Sequence, residues 1–241
     1  MKESFFRTAM LLGAEAEELL SGSHAAVFGV GGVGGHCCDA LCRCGVGRLT
    51  IVDPARVKAS NLNRQLCAKK STLGQLKVEA LQRHIEDVSE CRVTALPEFV
   101  TAENAASLIP EDCDIVIDAV DNVTAKLALI EECVRRGTPV LSSMGAGNRL
   151  DPTAVRIMDI SKTSIDPLAR VMRRELRARG IAHLTVVCST EEPVSPLIEA
   201  PDPEMKRSTP ASVPFVPAVF GITLAREAVK ILLERKPSCE V

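Results

Sequence analysis

The chain has 241 residues and a mass of 25.8 kDa; 46% of the residues are hydrophobic, 25% are charged, and the formal net charge is −2. This length and composition exclude a disordered chain and predict a single domain over residues 1–241 with one large core. The small net charge and the absence of Trp and Tyr exclude a general basic field or an aromatic stacking surface for RNA.

Residues 1–20 carry charged side chains among their apolar ones. Glu3, Arg7 and Glu15 exclude a signal peptide or a membrane span and predict an amphipathic N-terminal helix. Without an export signal, the ten cysteines predict a reducing, cytoplasmic location, in which most of the thiols are small buried hydrophobes. Their spacing does not match a ligand set for zinc, so we expect no structural zinc site.

Alternating apolar runs predict a doubly wound α/β fold with a mostly parallel sheet. The predicted strands of the first half lie near residues 25–30, 49–53, 91–97, 113–118 and 138–143. The helices between them are predicted near residues 33–44, 73–88, 101–108 and 123–136. Residues 1–150 therefore form a Rossmann-like nucleotide-binding half.

The pattern changes in the C-terminal half, residues 151–241. The elements predicted there are strands near 153–159 and 184–189 and helices near 164–179 and 215–235. Residues 190–214 are rich in proline and have few periodic apolar positions, which predicts a mobile loop.

The junction between the first strand and the first helix of the sheet is rich in glycine. Gly29, Gly31, Gly32 and Gly34 predict a tight turn whose free backbone N–H groups hold phosphate. Asp53 ends the next strand roughly 20 residues further on, where its carboxylate can accept hydrogen bonds from a ribose. Together these residues predict a nucleotide site.

A polar cluster behind Asp53 indicates which nucleotide chemistry the site performs. It contains Asn61, Arg64 and Gln65, and Lys77 follows. Hydride transfer has no use for such a cluster, whereas attack of a carboxylate on the α-phosphorus of ATP requires cations such as Arg64 and Lys77. Residues 72–75 resemble a capping box, which predicts a helix that begins there, with Lys77 near its start.

Asp121 and Asn122 follow the fourth strand at its carboxyl end. Ligands of an open parallel sheet bind at that edge, and a carboxylate beside a triphosphate is a natural Mg²⁺ ligand. The alternative is that both residues only cap the next helix. We favour the metal role because Asp121 joins Asp53, Arg64 and Lys77 at one predicted edge.

These motifs, in this order, resemble the adenylation domain that ubiquitin-activating enzymes share with the bacterial adenylyltransferases of thiamine and molybdopterin synthesis. Within that superfamily, the second half resembles the tRNA threonylcarbamoyladenosine dehydratases. The segments that carry this resemblance are residues 151–153, 159–163, 166–170, 189–192 and 212–221.

The resemblance implies an ATP-dependent cyclisation of threonylcarbamoyladenosine in tRNA. The threonyl carboxylate is adenylated, pyrophosphate is released, and a neighbouring carbamoyl nitrogen or oxygen closes a ring with AMP as the leaving group. By position, Asp53 and Asn61 would hold the ribose, Arg64 and Lys77 the phosphates, and Asp121 the Mg²⁺ that accompanies ATP. Family members often have a second acid where this chain has Ala55, so Asp53 acts alone.

The resemblance also implies partners for the chain. Arg7 matches an arginine that family members insert into the ATP site of the partner subunit, which implies a homodimer. A cysteine desulfurase or a sulfur acceptor is a further implied partner, beside the tRNA that carries threonylcarbamoyladenosine.

One face of the helix near 164–179 is basic. Four arginines recur at the spacing i, i+3, i+4 and i+7 and are extended by two basic residues of the loop; they are Arg170, Arg173, Arg174, Arg177, Lys206 and Arg207. This face is either a track for tRNA phosphates or a solvated helix surface.

Three other functions fit parts of the pattern. An adenylyltransferase for the C-terminus of a small sulfur-carrier protein would share the first half, but such enzymes have two zinc-binding cysteine pairs that this chain lacks. A nicotinamide oxidoreductase fits only the glycine turn and Asp53, and a non-catalytic binding module would not need the charged residues. Cys188 could accept the activated carboxylate as a thioester, but direct attack within the substrate does not require it.

Overall fold

Seven β-strands join in one sheet of order β3-β2-β1-β4-β5-β7-β6, in a computed structural model that describes residues 2–198 and 210–234. All neighbouring strands are parallel except β6 and β7, which are antiparallel. The strands are β1 His24–Phe28, β2 Arg48–Val52, β3 Arg92–Leu96, β4 Ile115–Asp118, β5 Val140–Ser143, β6 Val155–Asp159 and β7 Thr185–Ser189. The predicted doubly wound, mostly parallel α/β fold is confirmed.

Eight α-helices of the described residues cover the two faces of the sheet. They are α1 Phe6–Leu12, α2 Glu15–Gly22, α3 Gly34–Arg43, α4 Lys77–Val88, α5 Ala105–Leu108, α6 Val123–Arg136, α7 Pro167–Ala178 and α8 Phe215–Glu234. None of them is long and apolar enough to cross a membrane.

Strand β1 shows how the layers arise. Every residue of β1 is buried, because helices cover both faces of the sheet. Side chains alternate along a strand, so Ala25 and Val27 join the core under α3, α4 and α8, while Ala26 and Phe28 join the core under α5 and α6. The order of the strands reverses between β1 and β4, which is where ligands bind in open sheets of this kind.

Helix α8 packs against α3 at a position where only glycine fits. A Cβ atom on Gly221 would lie 2.3 Å from the carbonyl oxygen of Val33. The resulting core contains residues from both predicted halves, among them Leu41 of α3, Val187 of β7 and Phe220 of α8. The two halves of the chain therefore share one hydrophobic core.

The N-terminal segment differs from the single helix that was predicted. A 3₁₀ turn, Glu3–Phe5, is followed by α1 and α2, and the break between these helices falls at Gly13, whose φ of 91° is a glycine conformation. Helix α1 buries none of its residues. Met10 and Leu11 are 71% and 88% exposed, so one side of α1 is an open apolar surface.

The predicted capping box at residues 72–75 is wrong. Helix α4 begins at Lys77, and Thr72 instead ends a 3₁₀ turn, where its Oγ1 accepts a hydrogen bond from the Lys69 N–H at 2.9 Å. Gly74 and Gln75 form backbone hydrogen bonds with Val57, which hold these residues outside the helix. Lys77 is nevertheless at the start of α4, as predicted.

The predicted loop near 190–214 has no helix or strand at residues 191–198 and 210–214. Residues 199–209, with Lys206 and Arg207, lie outside the described residues, as does Cys239. The nine described cysteines are free thiols; Cys44 is half-buried and the other eight are buried.

Candidate functional site

A cavity of about 330 Å³ opens at the carboxyl ends of β1, β2 and β4. It brings together nine of the site residues predicted from the sequence, which are Gly29, Gly31, Gly32, Asp53, Arg64, Gln65, Lys77, Asp121 and Asn122. Three predicted residues, Arg7, Gly34 and Asn61, do not belong to its lining. The strand ends meet here because parallel strands that leave the same edge of a sheet end side by side.

The glycine turn lies close to the turn that follows β4. Gly29 has a φ of 83°, and a Cβ atom there would lie 2.6 Å from the carbonyl oxygen of Ala119. Gly31 and Gly32 follow on the cavity wall. Gly34 has another role, because a Cβ atom on it would lie 1.8 Å from the carbonyl oxygen of Gly29, so this glycine permits close packing of α3 behind the turn.

Asp53 follows the last residue of β2 and ties the glycine turn to its own loop. Its Oδ2 accepts a hydrogen bond from the Val30 N–H at 2.9 Å, and its Oδ1 accepts one from the Ala55 N–H at 2.8 Å. The Nζ of Lys77 lies 4.0 Å from Asp53 Oδ2. Each carboxylate oxygen can accept more than one hydrogen bond, so Asp53 can also accept one from a ribose hydroxyl.

Asn61 organises the loop that carries Arg64 and Gln65. Its side-chain oxygen accepts a hydrogen bond from the Lys58 N–H at 2.9 Å, and its carbonyl oxygen accepts from the N–H groups of Arg64 and Gln65. Asn61 is buried behind the cavity wall rather than on it. The structure therefore connects Asn61 to the position of Arg64.

Arg64 and Gln65 present polar groups to the cavity. Arg64 Nη1 donates to the carbonyl oxygen of Ser60 at 3.1 Å and to Asn63 Oδ1 at 2.8 Å. Partial burial lowers the pKa of Arg64, but the guanidinium remains charged at neutral pH. The Oε1 of Gln65 is buried and has no hydrogen-bond partner among the described residues.

Of the two residues Asp121 and Asn122, the structure shows which one caps the helix that follows. Asn122 caps α6, because its Oδ1 accepts a hydrogen bond from the Ala125 N–H at 3.0 Å. Asp121 is exposed at the cavity and is not the cap of that helix.

Among the described residues, three carboxylates line the cavity, those of Asp53, Glu98 and Asp121, and the one that we expect to hold Mg²⁺ is the exposed carboxylate of Asp121. Mg²⁺ is commonly held by one or two carboxylates together with phosphate and water oxygens, so this donor fits a metal that arrives with ATP. In the part of the chain that the structure describes, no group of three or more His, Cys, Asp or Glu side chains could hold a metal ion.

The wall after β3 was missed by sequence reasoning. Glu98, Phe99 and Val100 line the cavity beside Val52 and Val120. An aromatic ring and three valines form an apolar surface suited to a flat nucleobase. The signal that could have found them is the one used for Asp53 and Asp121, namely their position just beyond the carboxyl end of a parallel strand.

Residues 5–240 of the chain match the ThiF family. The chain belongs to the ThiF family. It is 41% identical to the tRNA threonylcarbamoyladenosine dehydratase of Bacillus subtilis (strain 168), over 97% of this chain and 96% of that protein. The dehydratase of Escherichia coli (strain K12) is 33% identical over 97% of this chain and 95% of its own length.

Solved structures of the E. coli dehydratase share this fold. Its complexes with ATP and with AMP each superpose on this chain with a TM-score of 0.87 and 34% identity, covering 96% of this chain and 94% of that one. By contrast, an adenylyltransferase and sulfurtransferase of Anopheles gambiae is 33% identical over only 54% of this chain and 30% of its own length.

Arg7 of this ThiF-family chain is exposed on α1 and does not line the cavity. It follows Phe6, which is 51% exposed, on the same helix as the exposed Met10 and Leu11. Arg7 therefore lies with the exposed apolar side chains of α1 and away from the cavity.

Cys188 lies in β7 and is 2% exposed. Burial, and to a smaller extent the nearby carboxylate of Asp166, raises the pKa of its thiol to about 11. The thiolate is the reactive form of cysteine, so this side chain is a poor nucleophile at neutral pH.

Proposed function

We propose that this chain catalyses the ATP-dependent dehydration, by cyclisation, of threonylcarbamoyladenosine in tRNA through an adenylated threonyl carboxylate. The observation that carries the proposal is one cavity that combines a glycine turn, the cations Arg64 and Lys77 and the carboxylates of Asp53 and Asp121. The similarity to named dehydratases over nearly the full length of the chain favours this substrate over a sulfur-carrier protein.

The first step forms an acyl adenylate. A threonyl carboxylate oxygen bonds to the α-phosphorus of ATP, and the bond from that phosphorus to the pyrophosphate oxygen breaks. Backbone N–H groups of the glycine turn hold the phosphates, while Arg64 and Lys77 neutralise the charge that grows on them. Asp53 accepts a hydrogen bond from a ribose hydroxyl. Asp121 would hold Mg²⁺, which supplies further positive charge at the phosphates when it is bound.

The second step closes the ring. The carbamoyl nitrogen or oxygen attacks the acyl carbon, the carbamoyl group loses a proton, and AMP departs with the former carboxylate oxygen. The nucleoside has then lost one water in total. This route requires no enzyme thiol, which agrees with the burial and the raised pKa of Cys188.

We assign tRNA phosphates to the basic face of α7. Arg170 and Arg177 are exposed, lie seven residues apart on the same face of α7 and line an open groove. Neither has an ion pair among the described residues, whereas Arg174 pairs with Glu175 at 2.8 Å. Unpaired, exposed guanidiniums on one helix face suit the regularly spaced phosphates of RNA.

We assign a homodimer contact to the open apolar surface of α1. Exposed apolar side chains on one helix mark a surface that binds another chain. In such a dimer Arg7 would be delivered to the partner subunit's ATP site, since it does not line its own. A cysteine desulfurase or sulfur acceptor remains a predicted partner.

The proposal is tested by incubating the protein with ATP and tRNA that carries threonylcarbamoyladenosine, with the same tRNA lacking the modification as the control. We expect AMP and pyrophosphate only with the modified tRNA, and a nucleoside lighter by one water. AMP formation with a sulfur-carrier protein, and no response to tRNA, would instead support the adenylyltransferase alternative.

A further inference from the structure

A buried ion pair encloses the turn that follows β4. Lys126 in the first turns of α6 donates from Nζ to Oδ2 of Asp118, the last residue of β4, at 3.0 Å. Both side chains are completely buried. Of the seven residues between them, five line the nucleotide cavity, and these are Ala119, Val120, Asp121, Asn122 and Ala125.

Two residues of β5 complete the network. Lys126 Nζ also donates to the carbonyl oxygen of Ser143 at 2.7 Å and to Ser142 Oγ at 3.3 Å. Ser142 Oγ in turn donates to Asp118 Oδ2 at 2.6 Å. The three hydrogens of the ammonium group therefore all have acceptors, and the network fastens α6 to the ends of β4 and β5.

Asp118 extends the network into the turn itself. Its Oδ1 accepts a hydrogen bond from the Val120 N–H at 3.2 Å. Asp121 is the next residue, and the preceding Ala119 lies against Gly29, where there is no room for a Cβ atom. A displacement of this turn would thus move the Asp121 carboxylate and press on the glycine turn that holds phosphate.

Stability alone is a weak reason for such a pair. Removing two charges from water is so costly that apolar side chains of similar volume often serve a core equally well or better. A fully satisfied network does, however, hold its members in one geometry. Its location directly beneath the cavity wall gives that rigidity a use.

We propose that Lys126 is a positioning residue for the nucleotide site: through Asp118 it fixes the turn of residues 119–122 and so directs the Asp121 carboxylate toward the metal and phosphates of bound ATP. This inference rests on the proposed function, because it takes Asp121 as the ligand of Mg²⁺. Lys126 itself touches neither ATP nor the metal.

The test measures ATP binding by calorimetry with and without Mg²⁺, which requires no tRNA and no turnover. Lys126→Met removes the charged ammonium group and keeps most of the length of the unbranched side chain. We expect the affinity for ATP without metal to stay within about threefold of wild type. The Mg²⁺ concentration that gives half of the maximal enhancement of ATP binding should rise about tenfold or more, as for other residues that orient metal ligands.

The matched control is Leu129→Ala. Leu129 is fully buried on the same helix but packs into the apolar core on the α5 side. The Leu129→Ala substitution should lower the midpoint of thermal unfolding at least as much as Lys126→Met does. It should leave the Mg²⁺ dependence of ATP binding at the wild-type value. An unchanged Mg²⁺ response in a folded Lys126→Met protein would reduce the pair to a structural role and overturn the proposal.

Ser142→Ala provides a milder variant in case Lys126→Met does not fold. It removes one hydrogen bond to each charged partner and leaves the ion pair in place, so we expect a smaller shift of the Mg²⁺ response in the same direction. No shift in this variant overturns the proposal as well. Failure of the wild-type protein to bind ATP would instead contradict the proposed function, which keeps the two failures distinct.

Discussion

Each charged side chain of the cavity has a distinct set of protein contacts, and these contacts define what it can offer a nucleotide. Both oxygens of Asp53 already accept backbone hydrogen bonds, so its position is rigid. Within residues 2–198 and 210–234, the side chain of Arg64 donates hydrogen bonds only to the carbonyl oxygen of Ser60 and to the amide oxygen of Asn63. These neutral partners leave the charge of its guanidinium available to phosphates.

Arg64→Ala and Lys77→Ala should each slow AMP formation by about 10²-fold, because a pre-organised cation at developing phosphate charge is lost. Single-turnover formation of AMP from ATP with modified tRNA measures this. Lys70→Ala, which changes an exposed lysine of the same loop, is the control and should be neutral. Wild-type rates in both site variants would remove Arg64 and Lys77 from the catalytic group.

Asp121→Asn and Asn122→Ala should separate metal binding from helix capping. Asp121→Asn should raise the Mg²⁺ requirement for turnover with little change in stability, because this side chain is exposed and does not cap α6. Asn122→Ala should lower the free energy of unfolding by about 0.5–2 kcal/mol, the usual cost of losing an N-cap. Mg²⁺ titrations of activity and urea unfolding measure the two effects. The metal assignment fails if Asp121→Asn leaves the Mg²⁺ titration unchanged.

At the scale of elements, helix α7 combines a packed face with an open one. Asp166 caps the helix by accepting a hydrogen bond from the Ala169 N–H at 2.8 Å, and Met172 and Leu176 are fully buried beneath it. An α-helix has 3.6 residues per turn, so the spacing of the arginines places them on a different side of α7 from the apolar positions. The arginines therefore occupy the open surface of the helix. The helix is thus anchored firmly enough to present charges in a fixed row.

Replacing Arg170 and Arg177 together by Glu should raise the KM for tRNA about tenfold or more and flatten its dependence on salt, since phosphate contacts release counterions. ATP affinity measured without tRNA should not change. Replacing Arg43 and Arg83, exposed arginines of α3 and α4, together by Glu serves as the charge-matched control. Equal KM values for tRNA in all three proteins would leave α7 as a solvated helix surface.

At the scale of the whole molecule, the proposed homodimer would place the α1 surface and Arg7 of one subunit at the ATP site of the other. Arg7→Ala homodimers should be nearly inactive, and so should Asp53→Ala homodimers. Mixing the two should restore activity, because the subunit with an intact Asp53 receives Arg7 from its partner. Activity of the mixed dimers, separated from the parents by a purification tag, measures this; absence of any recovery would argue for an Arg7 role within one subunit.

The many buried thiols should make the molecule sensitive to alkali. Burial raises the pKa of Cys42, Cys113 and Cys188 to about 11 and of Cys91 and Cys133 to about 12, above the ordinary 9.0. A raised pKa means that the folded state binds the proton more tightly than the unfolded state does. The resulting stabilisation of the folded state is complete at pH values below 9.0 and is lost as the pH rises through the pKa of the folded state.

We therefore expect the free energy of unfolding, measured in urea under reducing conditions, to be smaller at a pH about two units above the ordinary thiol pKa than at a pH just below it. The chain contains no Tyr, which removes one competing titration from this range. A Cys133→Ala variant should show a weaker decline. An equal free energy of unfolding at both pH values would contradict the burial argument.

The sequence by itself determined the strands, most helices and all the charged residues of the cavity except Glu98. Apolar periodicity is local, and a residue just beyond a parallel strand necessarily reaches the carboxyl edge of the sheet. Asp53 and Asp121 could be assigned to one site for that reason. The ordered motifs also indicated the family before any contact was known.

Only the tertiary structure decided which partner each side chain meets. Residues 72–75 have the local pattern of a helix cap, but backbone hydrogen bonds with Val57 hold Gly74 and Gln75 in a loop. Asn61, which the resemblance assigns to the ribose, is buried behind the cavity wall and forms the turn beneath Arg64. No local pattern connected Lys126 with the nucleotide site. These outcomes depend on contacts between residues that are distant in the chain or buried by folding, and local spacing contains no information about such contacts.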